Sequence, residues 1–288
     1  MTWWKVSIHA PAEHAEALAF LIAEEAHTAV EITDLTTMSK SEEASVSVLV
    51  IGLDSPPTEG FRATVATWMG RFDIASTNVK IERTDDEGWR ERWKEFFRGG
   101  PLSARVWVRP PWEETDPKAP FTIVIEPGMA FGTGHHETTR GVLIVLDTLL
   151  AEHHADRVLD LGCGSAILAI GAALLGSQAV GVEIDPEALV NARENVTHNG
   201  VEDRVTLLEG SVDVTDEVFP IVLANIIART LTELAAPIMQ RCSRDLVLAG
   251  LLHADIDSVL VAYEAFELVS RQPDGEWCVL HLRRPVAP

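Results

Sequence analysis

The chain has 288 residues, 47% of them hydrophobic, and sets 44 Asp and Glu against 23 Lys and Arg for a formal charge of −21. That length and apolar content allow two cored domains, and the acid excess argues against a phosphate-rich partner, which needs Lys and Arg to neutralise it, while it would steer a basic one. Three cysteines, Cys163, Cys242 and Cys278, are too few and too scattered for a disulfide framework or a spaced zinc site. With no basic stretch and apolar run at the start to mark a secretory signal, a cytoplasmic location is expected.

In chain order, the first elements are a strand in which Trp4, Val6 and Ile8 alternate, then a helix over 12–26 with Ala15, Leu18, Ala19 and Ile22 on one face behind Pro11. Val30–Thr36 and Ser45–Ile51 read as strands, Glu59–Phe72 as a second helix and Val79–Glu82 as a closing strand, the order of a ferredoxin-like α+β domain over residues 1–83. Over 84–100, Trp89, Trp93 and Phe96 or Phe97 recur at helical spacing with Arg90, Glu91, Arg92 and Lys94 on other faces, which predicts a linker helix. Gly99-Gly100-Pro101 marks a boundary, and a second domain is expected over 101–288, opening with strands at 105–108 and 121–125 around a Pro-rich loop.

From Asp156 onward, short apolar strands at 158–161, 179–184, 205–208, 221–224 and 246–251 alternate with Ala- and Leu-rich helical segments. This predicts an α/β, Rossmann-like parallel sheet covered on both faces. Strands at 266–270 and 277–283, joined through Pro273-Asp274-Gly275, predict a closing antiparallel hairpin. The uncharged run from Leu161 to Val182 is long enough to span a bilayer. The glycines at 162, 164 and 176 break it, as expected for a buried strand-helix-strand unit.

The first of these strands ends in Asp160-Leu161-Gly162-Cys163-Gly164-Ser165-Ala166 before an apolar helix. Glycines at such a turn let a ligand approach the backbone N–H groups at the helix start. A dinucleotide fingerprint needs a third glycine where Ile167 stands, which weakens a dehydrogenase reading. Glu183, at the end of the next strand, is near the ~20-residue offset of a ribose-binding carboxylate. Asp160 beside the turn would repel phosphates and suit an ammonium or sulfonium group.

Asn225, after the fourth strand, falls near the crevice where strand order reverses. Its carbonyl can accept a hydrogen bond from an amine, or its side chain can cap the next helix. Ahead of the sheet, Pro127-Gly128-Met129-Ala130-Phe131-Gly132-Thr133-Gly134-His135-His136-Glu137-Thr138-Thr139 reads as a loop able to close over a ligand, leading into a helix capped near Thr138 or Thr139. Phe131 could cover a base or a sulfonium with its ring. His135, His136 and Glu137 lack a further ligand group, so no metal is expected there or at His153-His154.

These segments, with Asp185-Pro186 and Asn225-Ile226 and a ferredoxin-like domain in front, resemble the PrmA family of ribosomal protein methyltransferases over nearly the whole chain. The resemblance implies a seven-stranded class I methyltransferase sheet and S-adenosylmethionine as cofactor. It implies methylation of lysine and N-terminal amino groups of large-subunit ribosomal protein eleven, with the front domain recognising that substrate. It also places Phe131, Thr139, Gly162, Glu183 and Asn225 at the cofactor, beside Asp160 and Gly164 from the turn, with Asn225 as the catalytic residue. Ala166 stands where family members often have glycine, Glu183 where Asp is common, and Ala249-Gly250 where Ser-Gly is usual.

The implied chemistry is in-line attack of a neutral amine, aided by placement in a dry pocket, with His135 or His136 as one candidate base and loss of the proton to water as the alternative. Rival readings are a methyltransferase acting on another protein, a nucleic acid or a small-molecule amine, and a non-catalytic protein-binding module. A monomer without nucleic-acid or membrane contacts is expected.

Overall fold

The computed structural model describes residues 3–26, 30–34, 46–53, 55–84, 98–126, 137–153 and 155–285. The chain divides into two compact units, 1–97 and 98–288.

In the first unit, β1 (Trp3–Pro11), β2 (Val30–Asp34), β3 (Val46–Leu53) and β4 (Val79–Thr84) form an antiparallel sheet in the order β2-β3-β1-β4, with α1 (Ala12–Ala26) and α2 (Glu59–Arg71). This is the ferredoxin-like arrangement. The period-2 face of β1 (Val6, Ile8) and the period-3.6 face of α1 (Ala15, Leu18, Ala19, Ile22) are buried together with Leu49, Ile51, Val65 and Met69. Helix α2 starts where the Thr58 hydroxyl accepts from the Phe61 amide at 3.2 Å. The linker helix expected over 84–100 falls largely on 85–97, outside the described residues.

The second unit opens with β5 (Gly100–Pro101), β6 (Val106–Arg109) and β7 (Phe121–Val124) in a small sheet of their own. Gly100 and Pro101, close to the division at 97/98, pair with Val108 and Trp107. The Arg109 guanidinium holds the Pro-rich loop from within, donating to the Thr115 hydroxyl and to the carbonyls of Pro110 and Glu113 at 2.7–3.0 Å.

The main sheet comprises β8 (Arg157–Leu161), β9 (Gln178–Glu183), β10 (Val205–Glu209), β11 (Phe219–Asn225), β12 (Cys242–Leu252), β13 (Glu267–Asp274) and β14 (Trp277–Arg283) in the order β10-β9-β8-β11-β12-β14-β13. All neighbours are parallel except at β14, which runs against both β12 and β13. Helices α3 (Glu137–Glu152), α4 (Ile167–Leu174) and α5 (Pro186–His198) pack on one face, with Val158, Ile221, Leu223 and Val247 beneath them. Helices α6 (Ala228–Glu233), α7 (Ala235–Arg241) and α8 (Ile256–Ala262) cover the other face, over Leu159, Leu161, Val222 and Leu246. Both faces being buried explains why the strands read as continuous apolar runs. Among the described residues no helix is long and apolar enough to cross a membrane.

One buried ion pair ties the small sheet to α3. Asp147, 6% exposed at its side chain, accepts from Arg105 Nε and the Ser103 hydroxyl at 2.6 Å and from the Arg105 amide at 3.1 Å. Burial opposes ionisation of this carboxyl, but the Ser103 and Arg105 bonds outweigh it and lower its pKa. Asp147→Ala is expected to cost about 2–3 kcal/mol at neutral pH by urea denaturation, since it strands the partners of a buried pair. A carboxyl with a lowered folded-state pKa contributes stability above its unfolded value, about 3.9. The gap between wild type and variant is therefore expected to close as pH falls below that value.

Candidate active site

Strand order reverses between β8 and β11, and the chain leaving β8 is shaped by three left-handed residues, Gly162 (φ 70°), Gly164 (φ 50°) and Ala166 (φ 64°). At Gly162 a Cβ would lie 2.4 Å from Ile226 Cγ2. Ala166 takes a conformation that costs a residue with a Cβ about 1–2 kcal/mol. Here the turn is held by the Ala166 amide donating to Cys163 O at 2.7 Å, with Ala166 fully buried. Burial, more than the nearby charges of Asp160 and Glu183, pushes the Cys163 thiol pKa well up, so it stays protonated and serves packing.

Ala166 offers no side-chain cap to α4; Asp160 does so from the preceding strand, its Oδ2 accepting the Ala169 amide at 3.0 Å. Asp160 is fully buried, and its Oδ1 has no hydrogen-bond partner. Burial pushes this carboxyl up to about 7, with the Ala169 bond acting against the shift and the Glu183 charge adding to it. At the end of β9, Glu183 Oε2 accepts the Gly164 amide at 2.9 Å, and its Oε1 accepts the Ile184 and Asp185 amides at 2.8 and 3.1 Å. The carboxylate expected to meet a ribose thus also clamps the glycine turn.

Asn225 closes β11 and is 7% exposed. Its Nδ2 donates to the Thr139 hydroxyl on α3 at 3.3 Å, and its Oδ1 is buried without a partner. It does not cap the next helix, whose N-cap is Ile227. Nor does Thr138 or Thr139 cap α3: the helix already includes Glu137, so both threonines lie buried in its first turn. Since side chains alternate along strands, Asp160 shares a face with Leu223 beside it and with Asn225 two residues on. The spacings of a sheet put the Asp160 and Asn225 Cα atoms about 8 Å apart.

Phe131 and the stretch 127–136, including His135 and His136, lie outside the described residues, as does His154. Among the described residues no cluster of metal-ligating side chains forms.

Four contributors went unnoticed in the sequence. Asn191, Asn195 and Asn199 recur every four residues on α5 and its C-cap, a polar stripe where core contacts were due. Asn199 exchanges hydrogen bonds with Val124 N and O at 2.8 and 2.7 Å, while Asn195 accepts from the Glu126 amide at 2.9 Å and donates to Ser165 O at 3.1 Å. This stripe fastens the chain entering Pro127 to the glycine turn. Ile184 is 62% exposed directly after Glu183, an apolar surface beside the proposed ribose acceptor.

With this geometry in place, the comparisons with known proteins converge. Residues 2–285 match the family Ribosomal protein L11 methyltransferase (PrmA). The chain belongs to that family. It is 38% identical over 217 residues to the ribosomal protein L11 methyltransferase of Clostridium botulinum (strain Eklund 17B / Type B), covering 73% of this chain and 68% of that protein. It is 37% identical over 233 residues to the one from Actinobacillus pleuropneumoniae serotype 3, covering 80% and 79%. The crystal structure of a ribosomal protein L11 methylase from Lactobacillus delbrueckii subsp. bulgaricus superimposes with a TM-score of 0.57 at 26% identity, over 66% of this chain and all of that one. The chain is thus a methyltransferase of the class I fold with S-adenosylmethionine as methyl donor.

The crowding around Ile226 gives a test. At Gly250 (φ 81°) a Cβ would stand 2.4 Å from the Ile226 carbonyl oxygen, whereas at Gly176 (φ 106°) nothing lies within 4 Å. Gly176→Ala therefore carries backbone strain alone, about 1–2 kcal/mol. Gly250→Ala adds a clash with the backbone that seats Asn225 and is expected to cost at least twice as much in chemical denaturation.

Proposed function

We propose that the Asp160, Gly162, Gly164, Glu183 and Asn225 pocket binds S-adenosylmethionine and that this chain transfers its methyl group to lysine side-chain and N-terminal amines of ribosomal protein L11. The observation that carries the reading is the buried, unpartnered Oδ1 of Asn225, an acceptor waiting for an N–H donor at the end of β11. The fit to the donor rests on this chain's own residues: a turn stripped of Cβ atoms at Gly162 and Gly164, an unpartnered carboxylate oxygen at Asp160, and the Glu183 carboxylate and Ile184 surface beside them.

When bound, S-adenosylmethionine supplies a methyl group made electrophilic by its sulfonium. Thr139 accepts from Asn225 Nδ2 and so fixes which way the amide faces. The Asn225 carbonyl then accepts one N–H of the incoming neutral amine and points its lone pair along the line of attack. Held at Asp160, Glu183 and the glycine turn, the donor would give up its methyl group to that amine, whose spare proton would leave to solvent. The rate gain comes from holding donor and acceptor in line where water is excluded.

A net charge of −21 favours encounter with a basic protein substrate over nucleic acid. The ferredoxin-like unit is proposed to recognise that substrate, with the enzyme acting as a cytoplasmic monomer.

Mass spectrometry of L11 incubated with the enzyme and S-adenosylmethionine is the deciding experiment. Successive one-methyl gains at lysine and the N-terminus are expected. Asn225→Ala is expected to slow turnover on the order of 10²-fold, the scale for losing one hydrogen bond aimed at the reacting group. Donor binding without methyl gain on L11 would move the substrate assignment elsewhere.

A further inference from the structure

Among the described residues, Asp160 is the one ionisable side chain around the glycine turn that is completely buried, and none of them offers it a cation. Its surroundings can be enumerated among the described residues. Within its own sheet it lies between Gly181 of β9 and Leu223 of β11. From α4 the Ala169 amide donates to Oδ2. The groups that bear on its charge are Glu183, a like charge at the end of β9, and the Cys163 thiol of the glycine turn, which stays neutral. Towards α3 and the end of β11 stand the uncharged Thr139 and Asn225. One hydrogen bond and a helix N-terminus do not offset the removal of a full carboxylate from water next to a second carboxylate. Below about pH 7 the free protein therefore holds Asp160 mostly as a neutral acid, in line with its carboxyl being pushed up to about 7.

The methionyl part of the proposed donor reverses that balance, because it brings a sulfonium and an ammonium to the glycine turn. We propose that binding of the methyl donor expels the proton of Asp160, so that the carboxyl is neutral in the free enzyme and ionised in the complex. The step balances simply: the Asp160 carboxylic acid and the cationic donor give a carboxylate paired with the donor, and one proton passes to the buffer. The neutral acid spares the free enzyme a buried bare charge. The cost of ionisation is met only when a cation arrives, so a phosphate-bearing or uncharged nucleoside gains nothing from it. This rests on reading the pocket as the donor site.

Isothermal titration of full-length enzyme with S-adenosylmethionine in phosphate and in Tris, whose ionisation heats differ, counts the protons released. At pH 6.5 wild type is expected to release about 0.8 proton per donor bound, falling towards zero at pH 8.5, and affinity should rise about eightfold from pH 5.5 to pH 6.5. Asp160→Asn keeps an acceptor for the Ala169 amide and cannot ionise, so it should bind more weakly with no release at either pH. Binding heats in wild type that do not depend on buffer, or the same release from Asp160→Asn, would overturn the proposal. Difference infrared spectroscopy of the wild type gives a check that needs no variant: a protonated-carboxyl band should vanish on adding donor, and its persistence would refute the step. Absence of any donor binding would instead overturn the site reading itself.

Discussion

The arrangement at the top of the sheet depends on how closely backbone approaches backbone around Ile226. Its side chain fills the space that a Cβ at Gly162 would take, and its carbonyl fills the space that a Cβ at Gly250 would take. The ends of β8, β11 and β12 can meet there only because two of the three contribute a glycine. Asn225 immediately precedes this wedge, so its position is set by steric exclusion more than by its own hydrogen bond to Thr139. A precise site is thereby built on strand ends and one helix, the rigid elements best able to hold an acceptor atom in place.

Polar groups around that wedge do double duty. Glu183 gathers the amides of Gly164, Ile184 and Asp185, and Asp160 supplies the helix cap that Ala166 lacks. The groups that shape the turn are thus the same ones proposed to meet the donor. Asn195 extends this economy to a neighbouring segment, since one side chain joins Ser165 of the turn to the chain entering Pro127.

Away from the site, charge is handled by pairing. Asp245 is fully buried at the opposite, amino-terminal end of β12, and burial alone would raise its pKa; His281, Arg283 and Arg244, at 2.7–2.8 Å, outweigh that and lower it. Asp160 has no such partners, and its pKa moves the other way. Two buried aspartates in one sheet therefore differ in kind: one is a structural cross-link between strands, the other a carboxyl with no cation beside it among the described residues.

The sequence by itself determined the element order, because periods of 2 and 3.6 depend only on neighbours in the chain, and it marked the glycine turn, Glu183 and Asn225 through local spacing. It also carried the family resemblance, residue by residue. It misplaced the start of α3, where Thr138 and Thr139 read as caps, because cap chemistry and first-turn burial look alike without the partner surface. Only the tertiary structure decided that Asn225 meets Thr139, 86 positions away, and not a helix cap. It alone showed that the asparagine stripe of α5 grips β7 and the glycine turn, and that one oxygen each of Asp160 and Asn225 is buried without a partner. Those facts are sums over segments distant in the chain, and burial, on which the charge state of Asp160 depends, exists only once the sheet and its helices have closed around it.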